Sequence, residues 1–71
     1  MKGFYMKWNY YLKHPTFIAN RMGIKIETVK RWSQLNYVPP PRFELLQEVM
    51  ASLGHEISII EMRGLNDTTR Q

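Results

Sequence analysis

The sequence predicts an all-α domain of four or five helices. Apolar residues recur at three- and four-residue intervals in separate stretches, glycine or proline punctuates those stretches, and 71 residues are too few to divide between two cores. With 44% hydrophobic and 23% charged residues, the chain reads as one small soluble domain. A core of this size sits near break-even against a conformational entropy of roughly 1.5 kcal/mol per ordered residue, so small scaffolds usually recruit a staple. No cysteine is present. His14 and His55 are far apart and neither has a companion ligand at a recognised metal spacing, so no metal and no cofactor is expected. Helix packing, the aromatic side chains and pairing with a second copy remain as sources of stability.

Phe4, Trp8, Tyr11 and Leu12 form the first stripe, at i, i+4, i+7 and i+8. His14-Pro15-Thr16 interrupts it, because proline disfavours helical geometry in the residue before it and suits the first turn of the next helix. The second helix turns Ile18, Ala19 and Met22 inward and stops at Gly23, which can adopt the left-handed conformation. A third helix holds Glu27, Thr28, Val29, Lys30, Arg31 and Trp32, with its acid early and its cations late, as the helix dipole favours, and ends near Asn36. Pro39-Pro40-Pro41 stiffens the entry to a fourth helix, striped by Phe43, Leu46, Met50 and Leu53, supported by Val49, and stopped by Gly54. Residues 56–62 read as a short helix or a strand, with helix favoured, since Ile57, Ile60 and Glu61 keep helical phase while three isoleucines favour a strand. The domain is expected to span residues 1–64, with a loose tail at 65–71.

The longest apolar runs fall far below the roughly 20 residues of a membrane span. Lys7 interrupts the place where a signal peptide would need its apolar segment, so a cytoplasmic location is expected, with no membrane partner. Charge is polarised. Residues 1–31 carry seven Lys and Arg against one Glu, or +6, and residues 32–71 carry three against five, or −2, which together make the net +4. A basic half joined to an acidic half suits a polyanion-binding face backed by a supporting or pairing surface.

The spacing across the second and third helices is the informative part. Ala19 is small enough to let the third helix cross closely, Gly23 permits a sharp turn, and Ile24, Val29 and Trp32 anchor the third helix on the second. Such a crossing leaves the far side of the third helix projecting, as entry into a major groove about 12 Å wide requires.

The stretch Ile18-Ala19-Asn20-Arg21-Met22-Gly23-Ile24-Lys25-Ile26-Glu27-Thr28-Val29-Lys30-Arg31-Trp32 resembles the helix-turn-helix of Cro and lambda-repressor-like DNA-binding proteins. Val38-Pro39-Pro40-Pro41-Arg42, then Phe43-Glu44-Leu45-Leu46 and Ala51-Ser52-Leu53-Gly54, are similar to that family's proline loop and fourth helix, so the resemblance covers roughly residues 4–62. Two places depart from it, and a second resemblance competes with it. Lys25 stands where the family usually caps the recognition helix with serine, which implies a looser first turn. Pro15-Thr16 replaces the glutamine that often grips a phosphate. Residues 23–42 also resemble the opening of MerR-type regulators, although that family continues into a β-wing and here an amphipathic helix follows at once.

The resemblance implies a sequence-specific regulator of double-stranded DNA, a repressor of the phage or prophage Cro type, bound as a homodimer to a pseudo-palindromic operator. By motif position Lys25, Ile26, Glu27 and Lys30 face base edges, while Thr16, Asn20, Arg21, Thr28, Arg31, Arg42 and Lys13 hold phosphates. Chemistry gives Ile26 a thymine methyl, Glu27 a cytosine amine and Lys30 a guanine. No effector domain is visible, so repression would work by occupying the operator. The isoleucines of the C-terminal part, with Met62 and Leu65, are candidates either for the pairing surface or for packing on the core. Tyr5, Tyr10 and Phe17 fall off the first stripe and could close a dimer or cover the core edge.

No phosphate loop, paired carboxylates or nucleophile with a base can be assembled, so neither an enzyme nor a small-molecule ligand is expected. Two other classes of function stay open. One is a protein-binding antitoxin or inhibitor on the same scaffold, and the other is an architectural or excisionase-like protein that bends DNA.

Overall fold

Within residues 7–67, which the computed structural model describes, every regular element is helical. In chain order they are α1 (Trp8–Tyr11), α2 (Pro15–Met22), α3 (Ile26–Leu35), a 3-10 turn (Pro40–Arg42), α4 (Phe43–Ser52) and α5 (Ile59–Asp67). The protein is a small all-α domain. No helix among the described residues is long and apolar enough to cross a membrane. Phe4 and Tyr5 lie outside the described residues, as do the last four positions of the expected tail.

Three helices end in the same way. The Gly23 N–H donates to the Asn20 carbonyl and the Ile24 N–H to that of Ala19, with Gly23 at φ 70°. Asn36 and Tyr37 repeat the pattern on Ser33 and Trp32, and Gly54 and His55 repeat it on Ala51 and Met50. Each end thereby satisfies carbonyls that would otherwise lack partners, using a residue that tolerates the left-handed region, two glycines and one asparagine. Both glycine stops were legible in the sequence. Lys25 makes no side-chain cap at the start of α3, in keeping with the departure from serine there.

The core joins the apolar stripes of all five helices. Trp8, Ile18, Val29, Val38, Leu46, Met50 and Met62 are fully buried, and Trp8 lies against Phe43 with ring centroids 6.3 Å apart. Ile18, Ala19 and Met22 of α2 and Val29 and Trp32 of α3 point inward as their spacing predicts. After the prolines the chain passes directly into α4.

The C-terminal part departs from expectation in two ways. Helix α5 runs through Gly64 to Asp67, so the domain does not end at 64. Met62, Leu65 and Asn66 repeat at i, i+3 and i+4 and are all buried, whereas Gly64 is exposed on the other side, where a Cβ would meet nothing. Of the residues offered as a pairing surface, Met62, Leu65 and Ile57 are core, and Ile59 packs against it; Ile60 remains 77% exposed.

Two asparagines tie this helix to the rest. The Asn66 Oδ1 accepts from the Trp8 indole Nε1–H at 2.7 Å and from the Val38 N–H at 2.9 Å, while its Nδ2 donates to the Val38 carbonyl at 2.8 Å. The Asn36 Oδ1 accepts from the Trp8 N–H at 2.8 Å, capping α1 from across the fold, and its Nδ2 donates to the Leu65 carbonyl at 2.8 Å. A single turn such as α1 has little intrinsic stability, and these contacts supply what propensity does not.

At the other end of α5, the Ser58 N–H donates to Glu61 Oε1 at 2.8 Å and the Glu61 N–H to Ser58 Oγ at 3.1 Å. This reciprocal cap starts the helix at Ile59, so Ile59 and Ile60 are helical while residues 56–58, which the sequence assigns to the same element, precede it. Ser58→Ala is expected to cost about 1 kcal/mol, which lowers the melting temperature of a domain this size by roughly 4–8 °C. Thermal melts followed by circular dichroism measure it, and an unchanged midpoint would show that the cap contributes nothing.

Candidate nucleic-acid interface

Each residue of an α-helix turns about 100° from the last, so a helix anchored on Val29 and Trp32 presents its opposite side around Glu27, Arg31 and Gln34, with Lys30 at the edge. All four are exposed. Lys25, at the start of the helix, is exposed as well. The face therefore combines two cations, one carboxylate and one amide within about two turns, on a helix pinned at its back by Val29, which is fully buried, and by Trp32.

Ile26 does not belong to it. The sequence reading aimed Ile26 at a base edge, but the side chain is half-buried against the core. Ile26 lies one turn before Val29, so it shares that residue's side of the helix, and burial of an isoleucine there is favourable by itself. Thr28 is half-buried on the flank. Gln34 was missed, although its signal was present: Glu27, Lys30, Arg31 and Gln34 stand at i, i+3, i+4 and i+7, the period of one helical face.

The residues offered as phosphate contacts divide. Thr16 and Asn20 are exposed and one turn apart on α2, the helix that packs most extensively on α3. Arg21 is turned elsewhere. Its guanidinium carbon lies 5.1 Å from the Phe17 ring centroid, and the side chain borders a surface groove with Leu45, Glu48, Val49 and Ser52, on the flank between α2 and α4. Arg42 is exposed on the 3-10 turn.

Lys13 is engaged in a separate cluster. Its Nζ sits 4.7 Å from the Tyr10 ring centroid, and Tyr10, Tyr11 and His55 meet edge to face at centroid distances of 5.0, 5.4 and 5.8 Å. Tyr10 and Phe17 thus have neighbours within the chain that account for them. In this cluster burial pushes the Tyr11 hydroxyl above its ordinary value of 10.0, and the charges of Glu61 and Tyr10 add to that. The folded state then holds the Tyr11 proton to higher pH than the unfolded chain does, so this contribution to stability is complete below pH 10 and is lost as pH rises through the folded value. Tyr11→Phe is expected to flatten the alkaline part of the stability profile, measured by urea unfolding over roughly pH 9–11. An equally steep decline in the variant would place its origin in other groups.

Comparison with protein-family models, with curated proteins and with solved structures finds no match for this chain.

Proposed function

We propose that this protein is a sequence-specific, double-stranded DNA-binding transcriptional repressor of the Cro and lambda-repressor-like type, acting as a homodimer on a pseudo-palindromic operator. The observation that carries the reading is α3. It is held from behind by Val29 and Trp32, packed on α2, whose Ala19 is buried, joined to α2 through a left-handed Gly23, and exposed on its outer side. That is the arrangement in which a helix can enter a major groove while the preceding helix approaches the backbone.

Glu27 favours base reading over plain polyanion binding. A carboxylate on a face meant only for phosphates would be repelled by them, whereas beside a cytosine its oxygens accept from the N4 amine. Lys30 and Arg31 donate, to guanine or to phosphate. Thr16 and Asn20, both exposed, would donate to the phosphates along the rim of the groove, and Lys25 and Arg42 would add positive charge. One such helix touches few base pairs, so useful affinity calls for two copies with half-sites one helical turn, about 34 Å, apart. In this reading repression consists of occupying the operator.

Selection of the purified protein on a randomised duplex library, with enriched sequences retested across a salt series, tests this. An inverted repeat whose affinity falls steeply with salt is the expected result. Salt-sensitive binding without enrichment would replace the reading with an architectural role, and absence of binding at low salt would turn attention to protein partners such as an antitoxin would have.

A further inference from the structure

We infer that Gln34 is a specificity-determining residue of this interface and that it reads an adenine. The inference rests on the DNA-binding reading above and goes beyond it, since it adds a base contact and a base identity that the helix-turn-helix resemblance does not supply. With Ile26 packed against the core, four exposed side chains remain on the outer side of α3: Glu27, Lys30, Arg31 and Gln34. Their chemistry differs in one decisive respect. An ionised glutamate only accepts hydrogen bonds, and lysine and arginine only donate them. The Gln34 amide does both.

In the major groove, guanine offers two acceptors, cytosine one donor, and adenine the pair of an N7 acceptor beside an N6 donor. Glu27 therefore suits cytosine, and Lys30 and Arg31 suit guanine. Of the four, Gln34 is the side chain that can satisfy both adenine atoms at once.

Its place on the helix sets its place in the site. Gln34 follows Glu27 by seven residues, an axial rise of about 10 Å. The base-pair step is about 3.4 Å along the duplex axis, and a helix lying in the groove is inclined to that axis, so this distance spans about two or three steps. The base read by Gln34 is thus offset by about two or three positions from the base read by Glu27 in each half-site. The turn after Gln34 is fixed by Asn36, held between the Trp8 N–H and the Leu65 carbonyl, so the last turn of α3 is anchored in register.

The test is parallel selection on randomised duplexes with the wild-type protein, Gln34→Ala, Gln34→Glu and Glu27→Ala, followed by titration of the enriched duplexes over a salt series. Gln34→Ala is expected to lose an adenine preference of roughly tenfold at one position per half-site while the salt dependence stays unchanged. Gln34→Glu should move that position toward cytosine, and Glu27→Ala should relax a different position about two or three base pairs away. Gln34 is exposed, so both replacements leave the fold intact by circular dichroism. An unchanged motif with Gln34→Ala would overturn the assignment and leave the DNA reading standing, and so would an equal loss of affinity on all sequences, which would make Gln34 a phosphate contact. Absence of enrichment by the wild-type protein would overturn both.

Discussion

Asn66→Ala is expected to leave the chain largely unfolded at room temperature. The substitution strips partners from the Trp8 indole N–H, the Val38 N–H and the Val38 carbonyl. Trp8 and Val38 are fully buried, and burial prevents water from replacing the lost amide. Each buried polar group without a partner costs about 1–3 kcal/mol, so three of them cost about 3 kcal/mol or more. A core of this size supplies a net stability of about 3–5 kcal/mol at best, so one side chain holds most of the margin. Asp67→Ala, at the adjoining exposed position, is the control, and it should stay within about 0.5 kcal/mol of wild type. Urea and thermal unfolding followed by circular dichroism and Trp fluorescence measure both. A variant melting within a few degrees of wild type would mean that the three groups find other partners, and the asparagine tie would lose its importance.

The second large effect concerns binding. Lys30→Ala with Arg31→Ala should lower affinity for the selected duplex roughly a hundredfold, with contacts of this kind worth about 1–3 kcal/mol each. If both side chains release counterions, the slope of log affinity against log salt falls by about 1.8, or 0.9 for each cation. Both residues are exposed and alanine is the best helix former, so thermal stability should hold. Undiminished affinity with an unchanged slope would remove α3 from the interface and leave its cations as a solvated surface.

The sequence carried the helices whose ends have local chemistry. Pro15, Gly23 and Gly54 act through their own backbone preferences, and the stripes of α2, α3 and α4 are long enough for period to decide their inward faces. The outer face of α3 was partly legible. Glu27, Lys30 and Arg31 follow from period alone, and Gln34 follows from the same period extended by one turn. Motif position sets Ile26 at a base edge, whereas helical phase sets it on the side of Val29, where it packs against the core. The capping pair Ser58 and Glu61 stood in the sequence at the right spacing and would have settled the helix-or-strand ambiguity before α5.

By itself, then, the sequence determined an all-α domain, the stops of α2, α3 and α4, and a third helix with Lys30 and Arg31 on its exposed face. These properties depend on φ preferences and on spacing within a dozen residues. The tertiary structure decided the rest. Asn66 is polar and follows a glycine by two, so locally it reads as the start of a tail; it becomes core because Trp8 and Val38, 58 and 28 residues away, bring buried donors and an acceptor that an amide can satisfy. Arg21 and Lys13 are cations in a basic half, yet each lies beside a ring, Phe17 and Tyr10 respectively, and Arg21 also borders the flank of α4. A residue's partners across the fold depend on how the helices cross, and spacing along one chain does not encode that crossing.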